Sequence, residues 1–170
     1  MKISQNLPQF EDKNTLLVAM GNHHGIIYHA LNGELEQIDE LRVEAPEYSD
    51  NEGSFRQGNA NNISFGSVLE PKKQEYQERF SKEFAEKINE YFKSKPVDQI
   101  YLFYAKDMNH LIEKDWSNDL KSITLIRFAG NHVSDAPTDL IKMIQKEMEE
   151  KSKVEPTGEA KEILDRTNRK

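Results

Sequence analysis

The dipeptide Asn32-Gly33 stands between two apolar stretches and restricts this chain more than any other feature in it. The favoured two-residue hairpin turn needs positive φ at both central residues, and Asn and Gly adopt it at least cost. Residues Ile26 to Leu31 therefore read as the strand that enters the turn. Residues Glu34 to Val43 read as the strand that leaves it, with Leu35, Ile38 and Leu41/Val43 separated by acids. That alternation slips phase once, as a β-bulge would make it do. Upstream, Thr15 to Met20 is an uncharged run of strand length, consistent with a buried strand. Gly21 and Gly25 bound the turn between them. Three strands in close succession predict an antiparallel meander.

The second half alternates helix and strand. Tyr76, Phe80, Phe84, Ile88 and Tyr91/Phe92 recur every three or four residues, which predicts one helix over Lys72 to Lys95 with a single apolar stripe. Pro96 ends it. Gln99 to Tyr104 reads as a buried strand, Met108 to Lys114 as a short helix, and Ser122 to Arg127 as another strand. A last helix, capped by Asp135 or Thr138 and carrying Pro137 in its first turn, presents Leu140, Ile141, Ile144 and Met148. The expected fold is α/β: a mixed sheet, a three-strand meander followed by α/β crossovers, flanked by helices. A polar arm (1–14), one domain (15–152) and a charged, mobile tail (153–170) complete it. Inside the domain, 44–71 is rich in Asn, Gly, Ser and acids, and loops of that length are commonly functional or disordered.

Composition excludes several kinds of chemistry. The chain of 170 residues has no cysteine, which removes disulfides, thiolate zinc sites, iron–sulfur clusters and a thiol nucleophile. A net charge of −7 disfavours a general nucleic-acid coat, and DNA is not an expected partner. No run reaches membrane-spanning length, so a cytoplasmic location is the default expectation. Neither a phosphate-binding Gly-Lys-Ser/Thr loop nor a Gly-x-Ser-x-Gly elbow occurs. Two-metal nuclease chemistry needs converging carboxylates, yet Thr15 to Met20 contains no acid. His23 and His24 are adjacent, so in extended chain they point apart; they read as turn histidines, and no metal or other cofactor is expected. Lys72, Lys73 and Arg79 belong to a helix with seven bases and five acids, a weakly basic face that could meet RNA. Lys and Glu at i, i+4 more commonly make such a face ordinary solvated surface.

Four stretches together resemble a known family: Leu16-Leu17-Val18-Ala19 before a glycine turn; Glu52-Gly53-Ser54-Phe55; the helix from Gln74 to Asn89; and Ser134-Asp135-Ala136-Pro137-Thr138-Asp139-Leu140. Their order and spacing are similar to those of bacterial host attachment proteins, a family related to the middle domain of archaeal and eukaryotic class-1 peptide-chain release factors. The resemblance covers Thr15 to Glu147 and implies a release-factor-like α/β domain. In release factors a Gly-Gly-Gln tip, on the loop before the long helix, positions water at the peptidyl ester. Here that loop reads Phe55-Arg56-Gln57-Gly58-Asn59-Ala60-Asn61-Asn62, with Gln before Gly and no Gly-Gly-Gln.

The expectation is therefore a non-catalytic binding domain that contacts the ribosome or another cytosolic RNA–protein complex. Ser54, Phe55, Arg56, Gln57, Gly58, Asn59, Asn61 and Asn62 are the candidate contact residues, since free loops on a rigid sheet commonly carry binding. Two alternatives stand beside it: a divergent ribosome-dependent peptidyl-tRNA hydrolase, and a protein-interaction domain without RNA contact. A homodimer is a further candidate assembly.

Overall fold

The computed structural model describes residues 1–44 and 69–154. Five strands make one sheet: β1 (Thr15–Met20), β2 (His24–Leu31), β3 (Glu34–Arg42), β4 (Gln99–Tyr104) and β5 (Thr124–Ala129). Their order is β3-β2-β1-β4-β5. β1 pairs antiparallel with β2 and β2 with β3, which is the meander, while β1 with β4 and β4 with β5 are parallel. The sheet is mixed, and four of its strands share one direction. The Asn32-Gly33 turn has positive φ at both residues, 48° and 78°. The phase slip in β3 is a bulge: Ile27 faces Asp39 and Tyr28 faces Gln37, so Ile38 is the extra residue.

Among the described residues four α-helices accompany the sheet: α1 (Leu69–Ser94), α2 (Asn109–Asp115), α3 (Asn118–Ser122) and α4 (Pro137–Val154). Two apolar layers flank the sheet. On one side Leu16, Val18 and Met20 of β1 meet Phe80, Phe84 and Ile88 of α1 together with Leu111, Ile112 and Leu120 from the two short helices. On the other side Leu17 and Ala19 meet Leu140, Ile141 and Ile144 of α4. β1 is buried along its whole length because it lies at the centre of the sheet with both faces covered.

Several expectations are corrected. The long helix starts at Leu69 rather than Lys72, because a proline in the first turn, here Pro71, breaks no helical hydrogen bond. The helix expected from Met108 is preceded by a 3-10 turn, Lys106–Met108, and ends at Asp115. A helix over Asn118–Ser122 was not expected; the Ser117 side chain accepts from Leu120 N and caps it. It moves β5 two residues onward, to Thr124–Ala129. The arm is polar in composition but docked: Ile3, Leu7 and Phe10 are buried in the α4 layer, and Ile3 N donates to Gly33 O at 2.7 Å. α4 starts at Pro137, so Thr138 lies inside it rather than at its cap, and Asp135, two residues before it, has its carboxylate 2.8 Å from His132 Nδ1. The last helix runs to Val154, two residues into the expected tail, and the tail beyond it lies outside the described residues.

Candidate functional site

Because β1, β3, β4 and β5 run the same way, their carboxyl ends gather at one edge of the sheet. In open α/β sheets ligands bind outside those ends, where connections from neighbouring strands leave in opposite directions. Here that place is between β1, whose chain turns toward β2, and β4, whose chain leaves through α2 and α3 toward β5. Backbone hydrogen bonds fix the ends against each other. Ala105 N donates to Met20 O at 2.9 Å, Gly130 N to Tyr104 O at 2.8 Å, and Gly21 N to His24 O at 2.8 Å.

Gly21 has to be glycine by close approach. A β-carbon there would lie 3.1 Å from His24 O, 3.1 Å from Val133 Cγ2 and 3.3 Å from Asn131 Oδ1. The loop after β5 thus closes down on the β1–β2 turn. His132 in that loop stands edge-on to the Phe103 ring at 5.8 Å, with Nδ1 2.8 Å from Asp135 Oδ2. Its Nε2 abuts Gly130, where a β-carbon would come within 2.5 Å. The ring is wedged, which supports a structural part for His132 in holding this loop.

The same edge holds described residues on either side of the segment that carries the candidate contact residues. Val43 N donates to His23 O at 2.8 Å as the chain leaves β3. Two turns into α1, the buried side chain of Gln77 donates to Asn22 Oδ1 at 3.1 Å. His23 itself is exposed, whereas His24 is half-buried and pairs with Glu40 across the strands at 2.8 Å. Hydrogen bonds from His24 and Gln37 hold the Glu40 carboxyl below its usual range. The two adjacent histidines therefore point apart, as expected. Among the described residues, no group of three or more His, Asp or Glu forms a metal site.

Ser54, Phe55, Arg56, Gln57, Gly58, Asn59, Asn61 and Asn62 lie outside the described residues. Lys72 and Lys73 belong to α1, with side chains outside the description. Arg79 is on an exposed face of α1, 3.8 Å from Glu83, with its guanidinium 6.0 Å from the Tyr76 ring centre. Glu83 stands one turn along the same helix, at the i, i+4 spacing of a solvated helix face. Sequence reasoning missed the Asn22–Gln77 contact: two amides far apart in the chain carry no local signal. Two open concavities are present among the described residues. One, about 630 Å³, is at the β2–β3 hairpin beside Lys2, His29, Asn32 and Glu36. The other, about 670 Å³, runs between α1 and α2 beside Glu78, Lys82, Asn89 and Lys114. Charges of both signs line each, and neither favours one class of ligand.

No protein-family model matches the chain, and no curated protein matches it in sequence. Among solved structures, the crystal structure of an archaeal translation termination factor aligns with 84% of this chain and 41% of its own, at a TM-score of 0.43 and 12% identity. The chain thus spans about two fifths of the length of that protein. A likeness at that level fixes neither a family nor an activity. The α/β architecture stands on the strand order itself. Among the described residues, no helix is long and apolar enough to cross a membrane.

Proposed function

We propose that this chain is a binding domain of release-factor-like fold that docks on the translation machinery, or on another cytosolic RNA–protein partner, through the span around Ser54 to Asn62. One observation supports the reading above others. Both approaches to that span are tied to the β1–β2 turn, through Val43 to His23 and Gln77 to Asn22, at the sheet edge where open α/β folds bind. Loops attached to a rigid scaffold commonly carry recognition. Asn and Gln amides both donate and accept hydrogen bonds, and Arg56 supplies a phosphate-compatible fork. The resemblance to host attachment proteins, and through them to release factors, is what directs the choice of partner toward translation.

The test is co-sedimentation with purified ribosomes at low and high salt. Salt-sensitive co-sedimentation that Arg56→Ala weakens supports the reading. Absence of co-sedimentation, with a protein partner recovered instead, favours the interaction-domain alternative. The hydrolase alternative rests on Gln57, whose amide could orient a water. Peptide release above background that Gln57→Ala abolishes would replace the binding-domain reading by a divergent release factor. The expected result is no release and no RNA cleavage with Mg²⁺ or Mn²⁺, because no Gly-Gly-Gln tip and no carboxylate in β1 are there to support either step.

A further inference from the structure

Among the described residues the sheet has two edge strands, β3 and β5, and the two differ. β3 carries Glu34, Glu36, Asp39 and Glu40, and it bulges at Ile38. Its start is covered by the arm, where Lys2 bridges Glu34 and Leu35 N donates to Met1 O at 2.8 Å. Acidic side chains, a bulge and a covering segment are the means by which proteins keep an edge from pairing. β5 reads Thr-Leu-Ile-Arg-Phe-Ala, with one charge and no proline. Its register slips once, at Leu125, and then runs regularly from Ile126 to Ala129. Leu125 is 52% exposed, and Ile126 and Phe128 are only partly covered although they pack on the α4 layer.

We propose that β5 is a docking edge for a second copy of this chain, paired antiparallel with β5 of that copy across a twofold axis normal to the sheet. The backbone selects the register. Gly130 N donates to Tyr104 O, so alternation along a strand turns Ile126 and Phe128 toward β4 and turns the backbone groups of Arg127 and Ala129 outward. A twofold axis normal to the sheet sets residues of like face opposite each other. Arg127 on the axis would oppose its own copy, which like charges disfavour. Ile126 on the axis would use the irregular Leu125. Phe128 on the axis places Arg127 opposite Ala129 of the second copy, twice, and sets the two Phe128 rings beside each other. Each Phe128 is already stacked on Phe103, with centroids 4.6 Å apart, so the aromatic ladder continues through the axis. Arg127 keeps its ion pair with Glu113, so no charge is left unpaired.

Edge geometry and symmetry select the occupant. The arm covers the start of the β3 edge and the bulge at Ile38 interrupts the rest, so β5 of another copy meets no regular run to pair with there, and the assembly closes as a dimer. A foreign extended peptide gains specificity from pockets for alternate side chains, and the two concavities described above lie elsewhere. One short strand pair with flanking apolar side chains is a small interface beside the roughly 1,200–2,000 Å² of stable complexes, so the dimer is concentration-dependent.

The test is a charge swap at one exposed position. Sedimentation of the full chain from micromolar to millimolar concentration should show conversion to a species of twice the 19.7 kDa chain mass. Ala129→Lys sets a lysine opposite Arg127 and should weaken the dimer, whereas Ala129→Glu sets a carboxylate there and should tighten it. The two dissociation constants should differ by roughly tenfold. Amide exchange at Arg127 and Ala129 should slow as concentration rises, a readout that holds even where a variant folds poorly. A wild-type chain that stays monomeric overturns the proposal. So do two variants that dimerise alike, or edge amides that exchange at a rate independent of concentration.

Discussion

Alanine at position 25 would drive a methyl group into the ring of Phe84. The added β-carbon would lie 2.6, 2.7 and 3.0 Å from three carbons of that ring. Carbon atoms in contact sit at about 3.5–4.0 Å, so the ring has to retreat by roughly 1 Å. It has nowhere to go. Phe84 is fully buried where α1 packs on β2, and its ring is stacked on Phe80 with centroids 5.4 Å apart. Overpacking of this kind costs about 1–3 kcal/mol. Replacing glycine in a strand interior returns about 0.5–1 kcal/mol of backbone entropy, so Gly25→Ala should lose ~1–2 kcal/mol net. Phe84→Ala should lose about 3–5 kcal/mol through cavity formation. In that second background the methyl group meets space instead of a ring, and Gly25→Ala should become neutral or stabilising. The coupling should be ~1–3 kcal/mol, the size found for residues in direct contact. Urea denaturation of the wild type, both single variants and the double variant measures all four corners. Additive losses, or a Gly25→Ala chain as stable as the wild type, would refute the packing of α1 on β2.

Three further expectations are smaller. Tyr91 Oη is buried without a hydrogen-bond partner among the described residues, so Tyr91→Phe should leave stability within about 0.5 kcal/mol or raise it by thermal denaturation, because no bond is lost. Ser81, fully buried, donates to Asp115 Oδ2 at 2.6 Å; Ser81→Ala should lower stability in urea by about 1.5–3 kcal/mol, the range for a hydrogen bond to a charged group. Burial first, and then the charge of Lys95, lower the pKa of His29 from its ordinary 6.5. Its contribution is therefore complete above pH 6.5 and declines as pH falls below it, toward the lowered folded value, since the unfolded chain takes up the proton first. His29→Gln should flatten that part of the stability-against-pH curve.

The strands were legible because each rests on a local signal. The Asn32-Gly33 turn sets the hairpin, the apolar run sets β1, and the slip in alternation at Ile38 became the bulge. What was misread depends on contacts or on very short segments. Ile3, Leu7 and Phe10 stand among polar residues and Pro8, and Phe10 and Asp12 adopt φ of 51°, which local preference does not anticipate. α3 has five residues, too few for an apolar stripe to register, and Leu120 is its one buried side chain. Pro71 resembles a stop before the helix and sits instead in the first turn of α1. The carboxyl edge was the least legible of all. It exists only once β1 lies parallel to β4, with Leu16 facing Ile100 and Met20 facing Tyr104, a pairing no window of sequence contains.

A photo-crosslinking residue tests the central reading most directly when placed at Gln57 in one protein and at Glu36 in another. Glu36 lies on β3 near the hairpin, at the end of the sheet opposite the carboxyl edge. Each protein is irradiated with purified ribosomes and then with whole cell extract. The account predicts ribosomal crosslinks from position 57 and none from position 36. Crosslinks from position 36 alone, or none from either position while the chain captures an unrelated protein, would contradict it.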